Sequence, residues 1–397
     1  MLYYFVRNDF LKRFNYERLK RETDAAVSSD SPVQSAEYNR LYREWRRCEG
    51  NRFSFTGKRS SRCHTYVDGI GTHVETAANQ ERSALKNLCS LLTFVAFLYA
   101  LAENVLVLPV ILILKVFGVE ISYSFHESTA YGNQYALLFV FVFEGLMKFL
   151  LPLIIARRFL KMPAKIAYPV KVKNWWAFFA AVSISLVAVS VIMFLRIHLP
   201  SNIFIINSIN TTYNLSIGMD TGCMLAFLAF ELIIVPVMIE MLFHGALFQG
   251  MRQFGVTFAV VMMAVINSAE RHNPFSLGVV FVTLLIAGYG VWQSGSIITG
   301  IVVHMLCRGL NFFLYWFKGQ PNLTGKLPPE TLFIIGVFAV GVLSWLLLMF
   351  SKNKLFTMKD YGTFLAMRTK FKFSFLETPL ISVWILYAIL VCVEIFI

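Results

Sequence analysis

Residues 221–250 read TGCMLAFLAFELIIVPVMIEMLFHGALFQG, thirty positions that include two glutamates and one histidine and no lysine or arginine. A helix crosses the hydrocarbon core of a bilayer in ~20 apolar residues, so this stretch is long enough to span and its fold is a transmembrane helix. Its polar residues are few but patterned. Glu240 and His244 stand at i and i+4, which puts a carboxylate and an imidazole on one face about one turn apart. Pro236, a turn before Glu240, lacks a backbone donor and predicts a bend there. Glu231, nine residues before Glu240, is expected to point elsewhere. An ionisable side chain at membrane depth costs ~2.5–3.5 kcal/mol or more, so it faces a cavity or a partner, and Glu240 and His244 are site candidates on that ground.

The rest of the chain is built the same way. Of 397 residues 57% are hydrophobic and 15% charged, against ~45–50% and ~25% in soluble domains, which excludes an ordinary soluble enzyme. Apolar runs at about 90–117, 134–156, 175–197, 221–250, 255–270, 276–293, 296–317, 331–350 and 380–397 predict nine crossings. The expected fold class is therefore all-α, a polytopic helical membrane protein of about 8–9 transmembrane helices. Close to half of the charged residues fall in the first 88 positions. The chain divides into a basic N-terminal region at 1–88, a transmembrane helical domain at 89–350, and a basic loop with the last helix at 351–397.

The net charge of +13 would suit nucleic acid, but the basic residues flank apolar runs, where they orient helices and face anionic lipid. Membrane lipids, and no nucleic acid, are the expected partners. The segment 157–174 holds Arg157, Arg158, Lys161, Lys165, Lys171 and Lys173 with no acid, and 351–379 holds Lys352, Lys354, Lys359, Arg368, Lys370 and Lys372. Both are expected on the cytoplasmic side, with the N-terminus, leaving the C-terminus on the far side. Residues 1–22 read as a basic amphipathic helix, on a membrane surface or solvated, and 23–88 as a weakly ordered linker or small appendage. The six cysteines show no C-x-x-C pair, so neither a disulfide framework nor a zinc ribbon is expected.

Three further polar clusters interrupt the apolar body. Glu144 and Lys148, at i and i+4, form an expected ion pair. INSAERHNP at 266–274 brings His272 to the end of a short apolar segment. IVVHMLCRGLN at 301–311 repeats His304, Arg308 and Asn311 at i, i+4 and i+7, a polar seam on one helix face. Glu240, His244, His272 and His304 thus sit on three successive helical segments joined by short loops. A carboxylate with imidazoles suits activation of water by a general base and equally the holding of a metal ion, and both readings stay open.

From Pro236 to Asn311 the chain resembles the CPBP family of intramembrane proteases, which includes the CAAX prenyl endopeptidases and bacterial proteins of bacteriocin processing and self-immunity. PVMIEMLFHGALFQGMRQFG resembles the family's first motif, with Ile239 and Glu240 in its two acidic places and His244 in its arginine place. SAERH resembles the second motif, with His272 retained. SGSIITGIVVHMLCR resembles the third, with His304 retained and Arg308 where Asn or Asp is usual. The resemblance implies a core at about 134–317 in which the first acid and the second-motif His activate water while the third-motif residues stabilise an oxyanion. Ile239 cannot act as a base.

The resemblance implies a CAAX-protease-like intramembrane endopeptidase for membrane-associated peptides or prenylated proteins in a bacterial plasma membrane, with Glu240, His272, His304 and Arg308 as its catalytic set. Two alternatives accompany it. Glu240, His244, His272 and His304 would form a zinc site with an open water position, or the chain is a catalytically inactive relative that binds, scaffolds or confers bacteriocin immunity. A transporter would show paired broken helices, and PVMIEMLFHG has no second copy.

Overall fold

A computed structural model describes residues 31–48, 50–55, 77–124, 129–198, 220–269, 274–318, 327–349 and 363–396. The 1–22 segment lies outside them. The helices are α1 (Ala36–Arg47), α2 (Ala77–Asn104), α3 (Val107–Val116), α4 (Gln134–Leu160), the single turn α5 (Ala164–Ala167), α6 (Trp175–His198), α7 (Thr221–Phe254), α8 (Val256–Ala269), α9 (Pro274–Ser294), α10 (Ile297–Lys318), α11 (Pro329–Met349), α12 (Met367–Leu376) and α13 (Leu380–Phe396). A short antiparallel hairpin, β1 (Ile121–Ser124) with β2 (Thr129–Gly132), pairs Ile121 with Gly132 ahead of α4. The apolar patterning gives no sign of that hairpin.

The protein is all-α and polytopic. Among the described residues seven helices are long and apolar enough to cross a membrane, or eight when α12 and the first part of α13, bent by 64°, count as one span. The difference from nine comes chiefly from 255–270. There α8 has 14 residues, a rise of ~21 Å that falls short of a ~30 Å hydrocarbon core. Its Phe258, Ala259, Met262, Met263 and Ala264 are wholly buried among other helices. An apolar run of this length reads alike as a span or a core helix until its surroundings are known.

α7 is the centre of the bundle, with α4 on one side and α10 on another, while α6, α9 and α11 build the flank behind α10. Outward apolar side chains such as Leu343 and Leu347 of α11 and Ile385 and Ile389 of α13 stay exposed. A bilayer accounts for that coat, because lipid tails cover apolar side chains at no hydrophobic cost.

α7 is not a uniform helix. A π-helical turn at Phe230–Ile234 precedes Pro236, and a second occupies Met241–Leu247. Proline has no N–H to give the carbonyl one turn back, and the widened turn absorbs the break: Val235 N–H bonds to Phe230 O, five residues away. Each widened turn takes up about one extra residue and so shifts the helix face beyond it by roughly 100°.

The N-terminal segment at 31–48 and 50–55 packs against the bundle, as an appendage and not a linker over those residues. Tyr42, fully buried, donates its hydroxyl to Gln249 O at 2.9 Å, and Trp45 donates its indole N–H to Leu160 O at 2.9 Å. Tyr38 Oη reaches Gln249 Oε1 at 3.0 Å. The Arg252 guanidinium lies 3.7 Å from the Tyr42 ring centroid, a cation over an aromatic face in a buried place. Burial pushes the Tyr38 phenol above its ordinary range. At the same end of the bundle Lys370 of α12 donates to Phe254 O and faces Glu81 at 3.7 Å, while Glu81 accepts the N–H groups of Phe364 and Leu365. The head, the 157–174 segment and α12 therefore meet at one end.

Candidate functional site

α7 carries Glu240 at the junction between its central α segment and the second π turn, and His244 within that turn. Both are completely buried. His244 Nδ1 lies 2.9 Å from each oxygen of the Glu240 carboxylate, so the i, i+4 pairing expected from spacing forms. A carboxylate buried without such a partner would be strongly destabilising.

α10 supplies the third group. His304 Nε2 stands 3.1 Å from Glu240 Oε1, and only a small part of its side chain is exposed. The start of α10 fixes that approach. Gly295 takes φ 72°, a left-handed conformation suited to glycine, and its carbonyl accepts the Gln34 side chain from the head. Ser296 then caps the helix by accepting Ile298 N–H at 3.2 Å, and its hydroxyl donates to Val170 O at 2.9 Å.

Two glycines make room for the cluster. A β-carbon on Gly300, one turn before His304, would collide with the Glu240 carboxylate. On α9, a β-carbon on Gly288 would come within 2.9 Å of His244 Nε2, an atom that is buried and has no hydrogen-bond partner among the described residues.

Beyond His304 the seam continues. Arg308, one turn on, forms an ion pair with Glu231, both partly buried. Sequence spacing misses Glu231 because an unbroken α-helix turns it away from Glu240. The π turn at Phe230–Ile234 re-phases α7 between the two glutamates, and the Glu231 carboxylate joins the outer part of the seam. Arg308 is held there and not against Glu240. Lys148 pairs with Glu103 of α2 and lies 4.5 Å from the Tyr99 ring centroid, a cross-helix partner that the i, i+4 reading with Glu144 does not foresee.

Ile239, in the first acidic place of the resemblance, is a buried hydrophobic residue. His272 lies outside the described residues, so the structure brings together three of the four candidate metal ligands and two of the four candidate catalytic residues. Among the described residues no group of three or more His, Cys, Asp or Glu is set to hold a metal ion.

Fold and site thus define an all-α, multi-pass membrane protein with an ionisable cluster enclosed among its helices. Residues 220–310 match the family described as type II CAAX prenyl endopeptidase Rce1-like, a similarity that supports a CPBP assignment for this segment. No curated protein and no solved structure gives a significant match.

Proposed function

We propose that this protein is a CAAX-protease-like intramembrane endopeptidase that hydrolyses peptide bonds of membrane-associated or prenylated substrates. The observation that carries the reading is the Glu240 carboxylate set between two imidazoles inside the matched segment. A carboxylate fixed in a site shielded from bulk water is equipped to take a proton from a single water as its oxygen attacks the scissile carbonyl. The C–N bond then breaks as that proton passes to the leaving amine. His244 orients the carboxylate through Nδ1. His304, with Arg308 one turn beyond, supplies N–H donors toward the carbonyl oxygen as negative charge develops there. His272 completes the catalytic set by resemblance. The zinc alternative takes Glu240, His244, His272 and His304 as its ligands, but the three described ones are not set to hold a metal ion. Basic clusters that share one end of the bundle support a cytoplasmic N-terminus, and the bacterial plasma membrane follows from the resemblance alone.

A second reading is a catalytically inactive relative that binds chain ends, acts as a scaffold or confers immunity. It is favoured by Ile239 in the first acidic place and by the engagement of both Glu240 oxygens with His244. The test is cleavage of a peptide library that includes prenylated C-terminal peptides by detergent-purified protein, with its metal content measured. Products that disappear in His304→Ala, with the protein still folded, support the endopeptidase. No products from well-folded wild type favours the inactive relative.

A further inference from the structure

Between α2 and α12, at the end where the basic segments meet, lies a cavity of about 410 Å³ lined by Arg82, Arg368, Thr369, Lys372 and Glu377, with Phe373 as an apolar wall. Its charges do not cancel. Arg82 pairs with Glu377 and lies 4.6 Å from the Phe373 ring centroid. Arg368 and Lys372 have no ion pair among the described residues, although they stand at i and i+4 on one face of α12, where like charges repel. An anion between them would relieve that repulsion.

The cavity's place in the bundle says which anion. The chain turns by 64° from α12 into α13. Just past the turn Ile381, Ile385 and Ile389 are 44%, 57% and 55% exposed, an apolar face that only lipid tails would cover. On the other side of the turn α12 exposes Arg368 and Lys372 beside the half-buried Phe371 and Phe375, a basic and aromatic face suited to the headgroup layer. The cations thus stand where charge gives way to hydrocarbon. Soluble phosphate could meet the same cations but has no use for the apolar face beside them.

We propose that this cavity binds the phosphate headgroup of an anionic phospholipid, with Arg368 and Lys372 as its contacts and Phe373 as the wall against the glycerol. The proposal does not depend on peptidase activity. The full chain is placed in nanodiscs of phosphatidylcholine alone and of phosphatidylcholine with phosphatidylglycerol at seven to three, and thermal unfolding and co-purified lipid are measured. Wild type gains thermal stability in the mixed discs and retains phosphatidylglycerol. The doubly substituted Arg368→Gln, Lys372→Gln protein, changed only at exposed positions, loses the gain, and its affinity falls about 5-fold per charge, roughly 25-fold for the pair. Lys171→Gln with Lys173→Gln, which removes two charges from the other basic segment, keeps the gain. Equal loss in both doubly substituted proteins would overturn the site in favour of general surface charge. A gain from inorganic phosphate alone in phosphatidylcholine discs would overturn the lipid as its ligand.

Discussion

Gly300 of α10 and Glu240 of α7 approach so closely that a β-carbon on the glycine would overlap the carboxylate. The absence of one methyl group therefore sets how near His304 comes to Glu240. Gly300→Ala forces the two helices apart or turns the carboxylate out of its imidazole contacts. Overpacking of this kind costs about 1–3 kcal/mol, and peptide cleavage falls with it. Thermal unfolding of the alanine variant beside wild type checks the first effect, and cleavage rate the second. Unchanged stability would mean that the helices are not in contact at this point.

The ion pair between Glu231 and Arg308 ties α7 to α10 beyond the site. Removing one partner leaves a charge at membrane depth, whereas removing both leaves none. Glu231→Gln and Arg308→Gln are each expected to destabilise, and the double variant loses less than the two single losses added together, with a coupling of about 0.5–3 kcal/mol. A double-mutant cycle in unfolding free energy measures it. Additive losses would show that the two side chains do not act as a pair.

Tyr42 plugs the end of α7 by its bond to Gln249 O and by covering Arg252. Tyr42→Ala removes a buried aromatic ring, a loss of about 3–5 kcal/mol by comparison with large aromatic truncations. The N-terminal segment then opens to protease well before the membrane helices do. Limited proteolysis timed against wild type reads this directly, and equal cleavage times would contradict a docked head.

Asp220 caps α7 by accepting Gly222 N–H at 3.1 Å, and the Tyr135 hydroxyl bonded to its carboxylate holds its pKa below the ordinary aspartate range. A depressed folded pKa gives stability that is present above the unfolded value of about 3.9 and is lost as pH falls through the folded value. The stability of wild type is expected to decline between about pH 5 and the folded pKa more steeply than that of Asp220→Asn. Unfolding measured across that range checks the difference, and parallel curves would remove Asp220 as the source.

Much of this architecture is legible in the residues, and the exceptions have physical causes. The apolar runs give the spans, and the i, i+4 spacing gives Glu240 with His244. His304 shows itself by its polarity on an apolar face. The partner of Arg308 does not, because the π turn ahead of Pro236 alters the phase that an α-helical wheel assumes between Glu231 and Glu240. Lys148 reaches across to Glu103 because helix spacing says nothing about the neighbour. α8, at 14 residues, is shorter than a full span, and hydropathy is blind to what covers it. The docking of 31–48 is hidden because Tyr38, Tyr42 and Trp45, dispersed among arginines and glutamates, resemble a solvated segment until the backbone carbonyls they bind are in view.

The proposed endopeptidase activity turns on whether Glu240, held by His244 and faced by His304, activates water. The cleavage rate of Glu240→Gln decides it, because that substitution keeps the side-chain volume and removes the base. The expected outcome is a fall of about 10²–10⁴-fold, with the helical fold retained in circular dichroism. Cleavage at the wild-type rate by this variant would rule Glu240 out as the base.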